Sequence, residues 1–239
     1  MVARSAEKVF KLSPSSLNLY LECPRCFWLR FNKGITRPEG PSSTLPRGMD
    51  YTLKNYYDSY REKGLPPELV GQVPGRLLQD QSRINEMRKH SFGFPLSSHI
   101  WFGGALDEAL ELEDGSVVPL DNKTKGFPPK EAHWTHLAQM SGYSLILREK
   151  GIQTKNVAYL VHWFFDHKNM KDSNPLDFNV AVEEVRTDPN QTHQLILEAI
   201  ETLKGEIPPI GQRSGPDSDE PCSFCLYRQA ALSLREKLD

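Results

Sequence analysis

The sequence predicts an α/β protein in which a mixed central sheet is flanked by helices. Residues 100–124 show two apolar segments on either side of Asp114-Gly115, a dipeptide that strongly favours a hairpin turn. Residues 131–150 repeat apolar side chains at helical spacing, and residues 156–165 form an apolar and aromatic segment typical of a strand. Strands and helices that alternate in this order favour helices packed on a sheet.

Local signals place further elements on both sides of this centre. Ser13 is a favoured capping residue and Pro14 suits the first helical position, so a helix is predicted to begin here. Pro24 predicts that this helix ends or kinks. The Pro-, Gly- and Ser-rich residues 36–48 predict a surface loop. The remaining patterns predict helices over residues 53–60, 74–90 and 188–204, a strand over residues 176–185, and a linker over residues 205–221.

Length and composition predict a single domain over residues 1–239. Of the 239 residues, 38% are hydrophobic and 25% are charged, which is typical of one large globular domain. No apolar run is long enough to cross a bilayer and the N-terminus has no signal-peptide pattern, so we expect a cytoplasmic protein without a membrane partner. A net charge of -2 excludes a globally basic coat, so a nucleic acid would have to bind local basic patches.

The predicted hairpin carries a candidate metal site. If its turn is centred on Asp114, Asp107 lies directly opposite Asp121 across the two strands. Because side chains alternate along a strand, Asp121 and Lys123 share one face, while Asn122 points away and offers that face only its backbone carbonyl. Oxygen ligands suit Mg²⁺ or Mn²⁺, and Lys123 could position or deprotonate an attacking water. The alternative is a hairpin whose two aspartates and lysine simply face solvent.

This hairpin resembles the core of the PD-(D/E)XK nucleases, which has a restriction-endonuclease-like fold. The similarity lies in Gly104 to Asp107, the Asp-Gly turn and Asp121-x-Lys123. Gln139 and Tyr143, on one face of the next predicted helix, are similar to the Q-x-x-x-Y motif of RecB-like members. The resemblance implies a metal-dependent exonuclease on single-stranded or end-containing DNA, acting in repair, recombination or CRISPR adaptation. It also implies a helicase or a CRISPR-adaptation protein as a partner.

One position departs from the family. Many members supply a further His or Glu ligand from an early helix, whereas this sequence offers Asp50, which could be either a ligand or a helix cap. The departure leaves open a catalytically weakened nucleic-acid-binding module of the same fold. A third possibility is a structural or adaptor protein whose chain ends are joined by a zinc ion. In that case the alignment of Asp107, Asp121 and Lys123 would be coincidental.

Four cysteines form two C-x-x-C pairs near opposite ends of the chain. Cys23 and Cys26 are separated from Cys222 and Cys225 by almost the whole sequence, which excludes a local zinc finger. A single four-thiolate site joining both ends accounts for all four, and it suits either zinc or an iron-sulfur cluster. Closing a loop of about 200 residues would stabilise the fold by about 5 kcal/mol through the unfolded chain.

The segments around the cysteines resemble the opening and closing segments of RecB-like and CRISPR-adaptation exonucleases. The similar residues are Ser13 to Leu17, Tyr20, Cys23 to Leu29, and Cys222 to Arg228. The resemblance implies a 4Fe-4S cluster, with residues 1–35 and 208–239 forming a staple around a nuclease core over residues 48–206. Family members commonly use one N-terminal and three C-terminal cysteines. The two-and-two pattern here keeps zinc as the alternative.

Three weaker patterns complete the candidates. His133 and His136 are interpreted as ordinary surface or DNA-facing residues. The tyrosines of the second helix are predicted to be core residues, namely Tyr51, Tyr56, Tyr57 and Tyr60. Lys123, Lys125 and Lys130 form a basic stretch that suits either phosphate contacts or a solvated turn.

Overall fold

The chain opens with a short strand and two helices separated at Pro24. The computed structural model describes residues 9–38, 44–165, 177–209, 215–216, 218 and 220–235. Strand β1 (Phe10–Leu12) precedes helices α1 (Pro14–Glu22) and α2 (Pro24–Lys33). Ser13 caps α1, because its hydroxyl accepts from Ser16 N at 3.2 Å and its own N–H donates to Ser16 Oγ at 2.7 Å. The predicted start at Ser13-Pro14 and the break at Pro24 are confirmed.

Helix α3 (Thr44–Tyr60) is longer than its sequence pattern predicts. The predicted surface loop over residues 36–48 is wrong for residues 44–48, which are helical, while residues 39–43 lie outside the described part of the chain. Pro46 does not prevent this, because the first helical N–H groups have no partner within the helix. Tyr57 is fully buried as predicted, but the core prediction is wrong for Tyr51, which is 70% exposed.

The segment after α3 is only partly helical. Two 3₁₀ turns (Arg61–Lys63 and Pro67–Leu69) lead to strand β2 (Arg76–Leu77) and helix α4 (Gln81–Met87). The predicted helix over residues 74–90 is therefore wrong at its start. Gly75 has a φ of 72°, and a Cβ there would lie 2.2 Å from the carbonyl oxygen of Glu111, so this residue lets β2 approach the next strand of its sheet.

A three-stranded sheet was not predicted. Strands β3 (Gly93–Ser97) and β4 (Ile100–Gly103) pair antiparallel, and β4 also pairs parallel with β1. Residues 100–103 therefore belong to this sheet, and the prediction that one hairpin covers residues 100–124 is wrong for its first part. The pairing of β1 with β4 joins segments about 90 residues apart, and no local signal reports such a contact.

The central sheet has five strands and mixed direction. Strands β5 (Glu108–Glu111), β6 (Val117–Lys125), β7 (Val157–Phe165) and β8 (Phe178–Arg186) extend it in the order β2-β5-β6-β7-β8. Among the described strands of this sheet, only β6 and β7 pair in parallel, and helix α5 (Trp134–Glu149) makes the crossover that parallel strands require. The predicted helix over residues 131–150 begins at Trp134 because His133 is its cap. The strand predicted over residues 156–165 is confirmed, and so is the one over residues 176–185 from Phe178 onward, while residue 176 lies outside the described part of the chain.

Helices cover both faces of this sheet. Along β7, Leu160 joins the apolar cluster that includes side chains of α1, α5 and α6 (Pro189–Lys204), while Tyr159 and Val161 join the cluster of α3. The predicted mixed sheet flanked by helices is therefore confirmed. A last helix, α7 (Ser223–Arg235), was not predicted from the Cys-rich segment. Within the described ranges, no helix is both long and apolar enough to span a membrane.

Candidate active site

Strand β6 presents an acidic and a basic side chain to helix α5. Lys123 Nζ lies 2.7 Å from Asp121 Oδ2. Asn122 points to the opposite face, where its Oδ1 accepts hydrogen bonds from Tyr57 OH at 2.8 Å and Trp163 Nε1 at 2.9 Å. The predicted alternation of these three side chains is confirmed.

Asp107 immediately precedes the neighbouring strand, β5. The hairpin pairs Glu108 with Leu120, so the next step of the same antiparallel register sets Asp107 beside Asp121. The turn is centred as predicted, because Asp114 Oδ1 accepts from Ser116 N at 3.1 Å and Gly115 has a φ of 79°. Two carboxylates on adjacent strands thus share one end of the hairpin.

A buried ionic network holds the strand that carries Asp107. Arg61 and Glu108 side chains are 2% and 1% exposed, and the guanidinium contacts both carboxylate oxygens at 3.1 and 2.7 Å. Arg88 donates to the backbone carbonyl of Asp107 at 2.9 Å and also contacts Asp58 and Glu108. Burial raises the pKa of Asp58, but hydrogen bonds from Arg88 and Arg61 outweigh it, so this pKa lies below its usual value. The network fixes the backbone at the candidate site.

Helix α3 adds Asp50 and Lys54 to the site. Lys54 Nζ lies 2.8 Å from Asp107 Oδ1 and 2.9 Å from Asp50 Oδ2, so the ammonium bridges the two carboxylates. Burial lowers the pKa of Lys54, but hydrogen bonds to Asp107 and Asp50 outweigh it, and the pKa lies above its usual value. The sequence leaves Asp50 open as a metal ligand or a helix cap. In the structure its carboxylate lies near those of Asp107 and Asp121.

Asp121 is a buried carboxylate close to other negative charges. It is 2% exposed, and its Oδ2 accepts no well-aligned hydrogen bond from any described residue, although Lys123 is close. Burial raises its pKa; Lys123 opposes this, and Asp107 and Asp50 raise it further. Lys123 supplies one positive charge to this group, and the oxygens of the neighbouring carboxylates fit a hard divalent cation such as Mg²⁺ or Mn²⁺.

Gln139 and Tyr143 lie beside the lysine on α5. Lys123 Nζ donates to Gln139 Oε1 at 2.9 Å, and Gln139 Nε2 donates to Tyr143 OH at 3.0 Å. Tyr143 is 7% exposed, and burial raises its pKa, so its hydroxyl stays protonated at neutral pH. The helix thereby holds the ammonium group through a chain of two hydrogen bonds.

A cleft of about 170 Å³ opens beside these groups. Residues from α3, β6 and α5 line it: Pro46, Asp50, Leu53, Asn122, Lys123, Thr124, Lys125 and His136. Burial and then the charges of Lys123 and Lys125 lower the pKa of His136 to about 4, so the ring is uncharged at neutral pH. His133 is exposed and caps α5 instead.

The four cysteines converge although the pairs lie at opposite ends of the sequence. All four Sγ atoms lie within 4.8 Å of one another. The Sγ of Cys225 is 3.7 Å from those of Cys23 and Cys26, and the Sγ of Cys26 is 3.9 Å from that of Cys222. Three of these residues are buried and Cys225 is half-buried. The group could hold a metal, as predicted.

Arg37 supplies positive charge to this cluster. Its guanidinium pairs with Glu22 and lies 3.6 Å from Cys222 Sγ. A hydrogen bond from Cys23 and the nearby Arg37 together lower the pKa of the Cys26 thiol to about 5, against the effect of burial. The same Cys23–Cys26 hydrogen bond, together with burial, raises the pKa of Cys23. At least one thiol of the group is therefore readily deprotonated, which a metal ligand requires.

The fold and the site define an α/β protein with carboxylates and a lysine at adjoining strands beside a crossover helix. The chain belongs to the PD-(D/E)XK nuclease superfamily, whose family model matches residues 11–230. No match to a curated protein was found. The solved structure described as "Crystal structure of SSO0001" is 11% identical, with 82% of this chain and 78% of that chain covered and a TM-score of 0.35, a similarity too low to carry an argument.

The structure brings the residues singled out in the sequence into two groups. Asp107, Asp121, Lys123, Gln139 and Tyr143 form one, and the four cysteines form the other. Sequence reasoning missed Lys54. The available signal was its position four residues after Asp50 on a helix, where opposite charges meet.

Proposed function

We propose that this protein is a metal-dependent nuclease that hydrolyses phosphodiester bonds in DNA. Membership of the PD-(D/E)XK superfamily supports nucleic acid as the substrate. The single observation that carries the proposal is the contact of Lys123 with both Asp121 and Gln139, at 2.7 and 2.9 Å. A lysine held beside a buried carboxylate, within a group of carboxylates that would bind a metal, is suited to activating water for attack on a phosphate.

Asp107, Asp121 and the backbone carbonyl of Asn122 would hold Mg²⁺ or Mn²⁺. Asp50 is a further carboxylate within reach of the same place, because Lys54 bridges it to Asp107. A divalent cation bound there would lower the pKa of water and stabilise the negative charge that develops on phosphate. Three carboxylates and few other ligands leave room for water, as Mg²⁺ sites usually do.

Lys123 would position the water or take its proton. Gln139 restricts the ammonium to one place, and Tyr143 in turn holds the amide of Gln139. A lysine fixed in this way loses little freedom when the reaction begins, which lowers the barrier relative to a mobile side chain. Gln139 and Tyr143 are therefore proposed as positioning residues for Lys123.

The substrate is proposed to be single-stranded or end-containing DNA, cleaved as an exonuclease. The RecB-like resemblance supports this choice, as well as a role in repair, recombination or CRISPR adaptation beside a helicase or an adaptation protein. Lys123 and Lys125 line the cleft and Lys130 is exposed on the loop that follows, so phosphates could approach over a basic edge. Residues 1–35 and 208–239 would form the staple around the core over residues 48–206.

A second candidate is a nucleic-acid-binding module that has lost cleavage. Lys54 favours it, because an ammonium that bridges Asp50 and Asp107 neutralises the carboxylates without a metal. DNA binding in the absence of any cleavage would favour this candidate over the nuclease.

The test is digestion of end-labelled linear DNA, with a closed circular DNA as the exonuclease control. Wild-type protein should cleave with Mg²⁺ or Mn²⁺, and chelator should stop it. Asp107→Asn and Asp121→Asn should each abolish cleavage. Asp114→Asn is the matched control, because Asp114 lies in the exposed turn of the same hairpin. Full activity of Asp121→Asn, or equal loss in Asp114→Asn, would contradict the proposed site.

A further inference from the structure

We propose that the four cysteines hold a single tetrahedral zinc ion and not the four-iron cluster that the RecB-like resemblance implies. The distances between the sulfur atoms support this assignment. A zinc ion binds thiolates at 2.3 Å, so the edge of a regular four-sulfur tetrahedron around it is about 3.8 Å. Three of the six Sγ separations, at 3.7, 3.7 and 3.9 Å, match that edge, and the other three are no longer than 4.8 Å.

An iron-sulfur cluster requires a wider arrangement of cysteines. Each thiolate of a 4Fe-4S cluster bonds a different iron at its own corner, so the distance from the centre to a thiolate sulfur is one bond plus the radius of the iron core. For a single ion, the distance from the centre to a thiolate sulfur is the metal–sulfur bond alone. Because sulfur separations scale with this radius, a group whose members all lie within 4.8 Å of one another does not fit the cluster.

The two cysteine pairs present their ligands in the same way. Cys23 is the cap of α2 and Cys26 lies in its first turn, with Cys26 N donating to Cys23 Sγ at 3.4 Å. Cys222 immediately precedes α7, and Cys225 lies in its first turn. Each pair therefore lies at the N-terminus of a helix, where the partial positive charge of the helix stabilises thiolates.

Arg37 complements the charge of such a site. Four thiolates around one Zn²⁺ leave a net charge of 2-, which is unfavourable in a buried place. The guanidinium of Arg37 lies 3.6 Å from Cys222 Sγ and also stacks over the ring of Phe224 at 4.7 Å. This one side chain neutralises part of the charge and bridges to α7.

Together with the contact of Arg37 on Phe224, the ion attaches α7 to the rest of the protein. Apart from half-buried Cys225, every side chain described between residues 223 and 233 is exposed. Helix α7 thus buries little apolar surface of its own, and the bonds of Cys222 and Cys225 replace a hydrophobic interface. Loss of the ion should release α7 while the central sheet keeps its structure.

Metal analysis of the wild-type protein tests the identity of the ion. The protein is produced with both iron and zinc in the medium and purified without oxygen. We expect one zinc per chain, no visible charge-transfer colour, and X-ray absorption that shows only sulfur neighbours at about 2.3 Å. Iron with sulfide and a metal–metal distance would overturn the proposal. A single iron atom, or no metal with four freely reactive thiols, would overturn it as well.

Amide hydrogen exchange tests the attachment of α7. After zinc is removed by a chelator, exchange across residues 223–235 should accelerate by more than about tenfold, while strands β6 and β7 stay protected. Cys222→Ser should reproduce this result, and Ser223→Ala, which changes the adjacent non-ligand residue, should not. Unchanged protection of α7 in the zinc-free protein would overturn the attachment. Cleavage of DNA plays no part in either measurement, so the proposal stands or fails apart from the nuclease activity.

Discussion

Replacing Lys54 with methionine should tighten the binding of a divalent cation to the carboxylates. Lys54 bridges Asp107 and Asp50 at 2.8 and 2.9 Å, so a metal that takes Asp107 Oδ1 must first displace this ammonium. Methionine keeps much of the length and apolar volume of the side chain but carries no charge. The competitor for the carboxylates is removed while the packing of α3 is retained.

The size of the effect follows from the two ion pairs. Their side chains are between 25% and 45% exposed, so each pair should contribute no more than about 1 kcal/mol. Together they set an expected gain of up to about 2 kcal/mol, which corresponds to binding up to about 30-fold tighter. Repulsion between the carboxylates in the metal-free variant adds to this gain.

Calorimetric titration of Mn²⁺ into chelator-treated protein measures the dissociation constant directly. Lys155→Met is the matched control, because it removes a lysine that pairs at 2.7 Å with Asp114, an aspartate outside the site. Its Mn²⁺ affinity should equal that of the wild type. Unchanged or weaker Mn²⁺ binding by a folded Lys54→Met variant would refute the reasoning.

Three further predictions concern the surroundings of the site. Gln139→Leu removes the hydrogen bond that holds Lys123, so single-turnover cleavage should slow by about 10–100-fold with DNA affinity retained; an unchanged rate would contradict the positioning role. Arg61→Met should lower the free energy of unfolding by about 3–5 kcal/mol in urea titrations, because it leaves buried charge, whereas the exposed Arg76→Met should change it by less than about 1 kcal/mol. The lowered pKa of Asp58 contributes stability that is present above about pH 4 and is lost as the pH falls through the folded-state pKa. Melting temperatures should therefore fall more steeply below pH 4 in the wild type than in Asp58→Asn, and parallel curves would contradict this contribution.

Local chemistry made the hairpin and its side chains predictable. The Asp-Gly turn fixes the register, and the period of two along a strand then decides which side chains of β6 face α5. The position of Asp107 beside Asp121 follows from these two facts alone. The C-x-x-C spacing likewise predicts one shared thiolate site, since neither pair can complete a tetrahedral site by itself.

Features that depend on distant contacts were not predictable in this way. The bridge from Lys54 to Asp107 exists only because α3 docks beside the hairpin, and its sequence shows an ordinary amphipathic helix. Strand β1 has three residues, which are too few to show a periodic pattern, and its partner β4 lies about 90 residues away in the sequence. Helix α7 buries little apolar surface, so the apolar periodicity that predicts the other helices does not indicate where it lies.

Single-turnover cleavage by Lys123→Met tests the central claim most directly. End-labelled DNA and Mn²⁺ are both saturating, and their binding is measured separately in the same variant. We expect that DNA and Mn²⁺ still bind while the cleavage rate falls by about 10²–10⁴-fold, because the group that handles the water's proton is gone. A cleavage rate within a few-fold of the wild type would contradict the assignment of this site as a nuclease centre.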